Sequence, residues 1–207
     1  MNLGWGFWLR TAAAVLILHG AYASWRDRPA SAPPGVLAPA EPLQTDIAGG
    51  APIAHGRWTL TPRAHYDITA RVLGRERYHT DRLSSLVPVD LALGWGPMSD
   101  SAVLTPLKVE QSARFYWVRW PAVPPLAPAE ILRHSANLHA IPADARTERV
   151  LERLREGEVV RLTGELVDAR RDDGAYVNTS LSREDTGAGA CEVMLVEAIE
   201  RAPAQRP

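Results

Sequence analysis

The stretch that decides the fold is Tyr-Asp-Ile-Thr-Ala-Arg-Val at residues 66–72. Its apolar residues alternate with polar ones and are Tyr66, Ile68, Ala70 and Val72. This spacing is typical of a strand with one buried face. A second alternating run covers residues 160–166, and Asp173-Gly174 then predicts a hairpin turn into residues 175–183. Strands are therefore expected to form the framework.

The rest of the chain adds further strands and one helix. Residues 114–120 form an aromatic strand that the prolines of residues 121–128 end and keep from becoming helical. Asp144 can cap a helix that Gly157 stops, and its stripe of apolar residues is Val150, Leu151 and Leu154. Residues 191–199 form the last strand. These elements predict a mainly β protein of the α+β class, with one or two helices and a small OB-like β-barrel that leaves few edges exposed.

Composition excludes two classes of partner or site. The 23 basic and 24 acidic residues nearly cancel, so the basic surface expected of a nucleic-acid-binding protein is absent. Cys191 is the only cysteine, which rules out an intrachain disulfide and a zinc site built from several thiols. The sequence identifies no cofactor.

The N-terminus predicts membrane targeting. Arg10 precedes an apolar run at residues 11–18, and Ala-Tyr-Ala at residues 21–23 is typical of a signal-peptidase site. Two interpretations fit residues 1–25: a cleaved signal peptide, or a retained transmembrane signal anchor with tryptophans near its ends. We expect a bacterial inner-membrane protein whose domain faces the periplasm, or an exported one, although Arg26 and Arg28 favour the opposite orientation.

Three further segments follow the targeting segment. Residues 26–55 are rich in proline and alanine and are expected to form an extended tether. Residues 56–201 form the β-rich domain, and residues 202–207 a disordered tail.

Two histidines suggest metal chemistry. In His134-Ser-Ala-Asn137-Leu-His139 the imidazoles can converge on one ion if the segment is a turn, and diverge if it is a strand. With Asp185 or Glu192 as acid or base, they form the site of a hypothetical metal-assisted hydrolase. The alternative is that Asn137 and its neighbours only satisfy the backbone of a loop.

Other residues suggest different chemistry. Cys191, with His134 or His139 as base, fits a cysteine nucleophile, although its alternating neighbours also fit a buried, inert cysteine. The Asp-Thr-Gly-Ala string at Asp185 resembles the loop of aspartic proteases, but charged residues precede it and a glycine-rich turn explains it. Trp95, between two glycines, is either a platform for a ligand or a plug of the core.

Three motifs resemble those of a known group. They are ALGWGPMSD at residues 92–100, HSAN at residues 134–137 and SREDTGAGACE at residues 182–192. On these the chain resembles a family of uncharacterised bacterial proteins with a short hydrophobic N-terminus. The resemblance implies no activity or catalytic residue.

The function predicted first is a membrane-tethered envelope domain that binds a protein partner or an envelope ligand. The metal-assisted hydrolase is the alternative. We expect His134, Asn137 and Asp185 to form one functional patch, because all three lie in segments where loops at one rim of a small barrel come together.

Overall fold

The structure is a computed structural model that describes residues 4–182 and 191–202. These residues form four α-helices: α1 (Trp5–Arg26), α2 (Ser101–Leu104), α3 (Pro128–Arg133) and α4 (Ala145–Leu151). They also form ten strands: β1 (Leu43–Asp46), β2 (Ile53–His55), β3 (Trp58–Arg77), β4 (Val89–Gly94), β5 (Lys108–Ser112), β6 (Phe115–Arg119), β7 (Ser135–Pro142), β8 (Val159–Arg171), β9 (Tyr176–Val177) and β10 (Glu192–Arg201). Strands hold 40% of the residues and helices 22%, which confirms the predicted mainly β class.

Five strands close into a ring, in the order β3-β4-β7-β10-β8 and back to β3. All neighbours in the ring are antiparallel except β7 and β10, which run parallel. The 20-residue strand β3 makes closure possible, because register shifts at Pro62/Ala64 and Val72/Gly74 bend it between its partners. Strands β1 and β2 extend the ring beside β3, and β9 pairs with β8.

The interior of the ring is the main hydrophobic core. The alternating face of β3 predicted from the sequence points inward, and its four residues are at most 3% exposed: Tyr66, Ile68, Ala70 and Val72. They meet apolar residues of the other ring strands, among them Leu91, Leu138, Leu162 and Met194. The predicted buried face is therefore confirmed.

The outer face of β4 and β7 is covered by a second layer. The hairpin β5–β6 and helices α2 and α3 pack there around Ala92, Met98 and Ile131. Since residues of a strand alternate between its faces, every second residue of β4 and β7 lies under this cover. This arrangement encloses polar side chains of the outer face.

The helices partly match the prediction. As expected, Asp144 caps α4 by accepting a hydrogen bond from the backbone N–H of Thr147 at 2.7 Å. Outside α1 the described chain has three α-helices, one more than the expected maximum. The sequence analysis located only α4 and did not locate α2 or α3. Helix α3 begins at Pro128, and a proline is tolerated in the first turn because the N–H that it lacks would have no partner within the helix.

Residues 26–55 do not form a free tether. Ser99 Oγ accepts hydrogen bonds from the backbone N–H groups of Leu37 and Ala38, each at 3.0 Å, and the backbone N–H of Ala30 donates to the carbonyl of Glu156 at 2.7 Å. The same segment also contributes β1 and β2 to the sheet. Prolines keep it extended, and an extended backbone can dock through N–H groups that no helix or hairpin uses.

Helix α1 corrects the predicted location. The apolar N-terminal segment is helical from Trp5 to Arg26, yet no helix in the described part of the chain is long and apolar enough to cross a membrane. Arg10, His19 and the small or weakly polar residues around them lower its mean hydropathy. The predictions of a transmembrane signal anchor and of a protein in the inner membrane facing the periplasm are therefore contradicted.

Candidate functional site

A polar cluster lies on the outer face of the ring, beneath the β5–β6 hairpin. In the sheet register His139 of β7 lies opposite Asp90 of β4 on one side and opposite Val193 of β10 on the other. Cys191, just before β10, is on the same alternating face as Val193. Three adjacent strands thus bring a carboxylate, an imidazole and a thiol to one place.

Asp90 and His139 form a buried ion pair. The Nδ1 of His139 lies 2.9 Å from Oδ1 of Asp90, and the side chains are 8% and 1% exposed respectively. A carboxylate only accepts hydrogen bonds, so Nδ1 is the donor. This contact fixes the ring and leaves Nε2 free to face another group.

Cys191 is the second partner of the His139 ring. Burial on its own lowers the pKa of His139, but the hydrogen bonds with Asp90 and with the Cys191 thiol outweigh it and raise the pKa to about 9. The imidazole is therefore protonated at neutral pH. Cys191 is only partly buried.

Asn137 is a further neighbour of the Cys191 sulfur. Its Nδ2 lies 3.7 Å from Cys191 Sγ and donates to the carbonyl of Arg114 at 3.1 Å. Its Oδ1 accepts from Nε2 of Gln111 at 2.9 Å. The oxygen and the nitrogen of the amide therefore both have hydrogen-bond partners in the β5–β6 hairpin, and these contacts fix its orientation towards the thiol.

Arg114 connects the cluster to the surface. Its Nη1 donates to Asp90 Oδ1 at 2.9 Å, while Nε and Nη2 donate to the two oxygens of Asp81 at 2.7 and 2.9 Å. The guanidinium also lies 3.7 Å from the centre of the Tyr78 ring, a cation–π contact. Oδ1 of Asp90 therefore accepts hydrogen bonds from two cationic side chains, those of Arg114 and His139. Oδ2 is buried without a hydrogen-bond partner among the described residues.

The backbone at Arg114 is strained. Ala113 and Arg114 have φ angles of 49° and 71°, and they are the only residues other than glycine with positive φ in the described chain. Such a conformation costs free energy for residues that carry a Cβ and often accompanies a functional constraint. Here it forms the turn between β5 and β6 and brings the guanidinium down onto Asp90.

His134 lies in a different environment. Its Nε2 is 3.3 Å from Oε1 of Glu41, and its Nδ1 is 2.9 Å from the carbonyl of Glu130 and 3.5 Å from the carboxylate of the same residue. None of these groups contacts His139. Residues from Ser135 onwards form the strand β7, so the two imidazoles diverge. This is the alternative that the sequence analysis gave for a strand.

The other predicted site residues are spread over the molecule. Asn137 lies in the cluster with His139. Trp95 is 1% exposed in the core, and its Nε1 donates to Glu41 at 2.9 Å, so the structure places the indole as a plug and not as an open platform. Glu192 is buried at the start of β10. Asp185 lies outside the described residues, and the patch of His134, Asn137 and Asp185 stays a prediction.

Metal binding at His134 and His139 gains no support. No group of three or more His, Cys, Asp or Glu side chains within residues 4–182 and 191–202 is arranged to hold a metal ion. The metal-assisted hydrolase, which also needs Asp185 or Glu192, stays a prediction.

The sequence pairs Cys191 with a histidine but does not place Asp90 or Arg114 in the site. One signal was available for Asp90, because it is a charged residue inside the apolar run Val-Asp-Leu-Ala-Leu at residues 89–93. A buried charge requires a partner, so a buried carboxylate at this position predicts a cation nearby. Nothing in the local sequence indicates that Arg114 is the one that reaches it.

Comparisons with protein families, with curated proteins and with solved structures found no match to this chain. The resemblance to the bacterial family with the three motifs therefore stays a prediction.

Proposed function

We propose that the protein is a thiol-dependent enzyme that transfers an acyl group to water through Cys191. The observation that carries the proposal is the line of three side chains from the Cys191 thiol through the His139 imidazole to the Asp90 carboxylate. An activated thiol nucleophile requires a base beside it and a third group that orients the base. The three residues supply these roles in that order.

The first half of the reaction uses His139 as an acid. An imidazolium beside a cysteine favours the thiolate, which is the nucleophilic form. The sulfur attacks the carbonyl carbon of an ester, thioester or amide, and a C–S bond forms. As the bond to the leaving group breaks, His139 gives that group its Nε2 proton. The result is an acyl group on Cys191 and a neutral imidazole.

The second half restores the resting state. Neutral His139 takes a proton from a water molecule, whose oxygen attacks the acyl carbon. The C–S bond breaks, the carboxylic acid leaves, and the sulfur regains its negative charge beside the protonated ring. Asp90 stabilises the imidazolium at both ends of this cycle, and Arg114 keeps Asp90 in place.

An acyl-transfer assay tests the proposal. The full chain is mixed with p-nitrophenyl acetate, and nitrophenolate release and the mass of the peptide containing Cys191 are followed. We expect a burst of about one equivalent and an acetyl group on Cys191. Cys191→Ala should abolish the burst and His139→Gln should slow it, while His134→Gln is the matched control. A burst that is equally fast in the His139→Gln variant would contradict the proposal.

Partner binding is the second candidate function. It is supported by the outward face of the β5–β6 hairpin, where Phe115 and Trp117 are 40% and 47% exposed and their ring centres lie 6.2 Å apart. Exposed aromatic clusters are common in interfaces between proteins. Cross-linking of the wild type and of Trp117→Ser to proteins in an extract tests this, and equal capture by both would contradict it.

We also propose that the ring is a small OB-like barrel. The closing β3–β8 pairing and the apolar interior support this assignment. An experimental structure in which the β3–β8 pairing is missing would contradict it.

A further inference from the structure

A second polar site lies away from Cys191, where the segment after α1 meets the ring. A cavity of about 120 Å³ opens there between Ala30, residues 71–73 of β3 and residues 104–109. Cavities of about 150 Å³ accommodate molecules as large as benzene, so this one has room for a ligand of several heavy atoms. None of its lining residues belongs to the cluster around Cys191, so the two sites are independent.

Arg71 supplies a buried cation. The residue is 8% exposed, and its Nη1 donates to the carbonyl of Ser99 at 3.1 Å and to Ser101 Oγ at 2.8 Å. Its remaining N–H groups make no hydrogen bond with any residue that the structure describes. A guanidinium presents donors along two edges, and the free edge matches the two oxygens of a carboxylate.

Glu156 lines the same cavity and supplies a carboxylate, whose pKa is raised by partial burial and lowered by the nearby Arg71 guanidinium. It attracts Arg71 electrostatically, but no ion pair within 4.0 Å joins the two among the contacts of the described chain. The remaining walls are apolar and include Leu73, Leu104, Leu107 and Val109. The cavity thus combines a buried cation, a carboxylate and an apolar wall.

We propose that this cavity binds a small α-amino acid with an aliphatic side chain. The carboxylate of the ligand pairs with the free edge of Arg71, its ammonium group with Glu156, and its side chain lies against Leu107 and Val109. A zwitterion complements both charges at once, whereas a plain carboxylate leaves Glu156 without a partner and a plain amine leaves Arg71 without one. The two opposite charges around a small apolar space select this class of ligand.

Titration calorimetry of the full chain with three probes tests the proposal. The probes are alanine, propionate, which lacks the ammonium group, and ethylammonium, which lacks the carboxylate. We expect alanine to bind about tenfold more tightly than either of the others, because each loses one charge-assisted contact. Equal affinities for alanine and propionate, or no binding of alanine, would overturn the proposal.

Two variants locate the site. Glu156→Gln is on the surface and keeps the fold, and it should remove the preference for alanine over propionate. Glu197→Gln, an exposed carboxylate away from the cavity, is the matched control and should leave that preference unchanged. Leu107→Phe should fill the cavity and prevent binding of alanine. Unchanged binding in both Glu156→Gln and Leu107→Phe would show that alanine binds elsewhere and would overturn the assignment.

Discussion

His134 and His139 are five residues apart, and their surroundings give them different roles. His134, at the end of α3, contacts two carboxylates that are 52% and 42% exposed, those of Glu41 and Glu130. His139, inside β7, contacts a carboxylate that is 1% exposed, together with the only thiol of the chain. Water screens the first set of charges and not the second. The comparison shows that the surroundings of a histidine matter more than its residue type. The strand pairing and the covering hairpin place His139, and not His134, beside a buried carboxylate and a thiol.

The largest expected difference between the two sites is in stability. Asp90→Ala leaves His139 and Arg114 without their shared anion inside the protein, and removing one partner of a buried ion pair costs about 3–5 kcal/mol. Glu130→Ala removes an exposed partner of His134 and should cost less than about 1 kcal/mol. Urea unfolding of both variants measures the difference. Similar losses of unfolding free energy in the two variants would mean that Asp90, His139 and Arg114 do not depend on one another as a buried ion-pair cluster.

The next effect concerns pH. The pKa of His139 is about 9 in the folded chain and about 6.5 when unfolded, so its protonated form favours folding. This contribution is complete below about pH 6.5 and disappears as the pH rises through about 9, for a total of about 3 kcal/mol.

Unfolding free energies of the wild type and of His139→Gln, measured across this range, test the sign. The difference between the two should shrink as the pH rises. A difference that grows with pH would contradict the assignment of a protonated His139.

Smaller effects are expected around His134. Glu41→Gln keeps an acceptor for the Trp95 indole while removing the charge beside His134, and the side chain is half exposed. We expect a loss of less than about 0.5 kcal/mol and unchanged reactivity of Cys191. Thermal unfolding and thiol alkylation of this variant check both. Slower alkylation would mean that the two histidines are coupled after all.

The strands could be predicted because their alternation is local. Tyr66 and Ile68 lie inward as their spacing indicates, and Asp144 caps α4 as its position indicates. The site could be predicted only in part, because it depends on pairings between distant strands. No local pattern reports that β7 and β10 are parallel neighbours, and this pairing is what brings Cys191 to His139.

The sequence did not show how residues 26–55 contact the rest of the chain, for a similar reason. Proline and alanine in residues 26–55 indicate an extended backbone correctly, but they do not tell whether that backbone is free or docked. Docking depends on acceptors elsewhere in the chain, above all the hydroxyl of Ser99. Trp95 likewise became a core residue because the docked segment supplies Glu41 as partner for its indole.

Alkylation of Cys191 by iodoacetamide at neutral pH tests the central claim most directly. If His139 and Cys191 act as a pair, the wild type and His134→Gln should react at the same rate. His139→Gln, which lacks the imidazolium beside the sulfur, should react more slowly. Identical rates for the wild type and His139→Gln would contradict the account, because Cys191 would then be a cysteine that its neighbours do not activate.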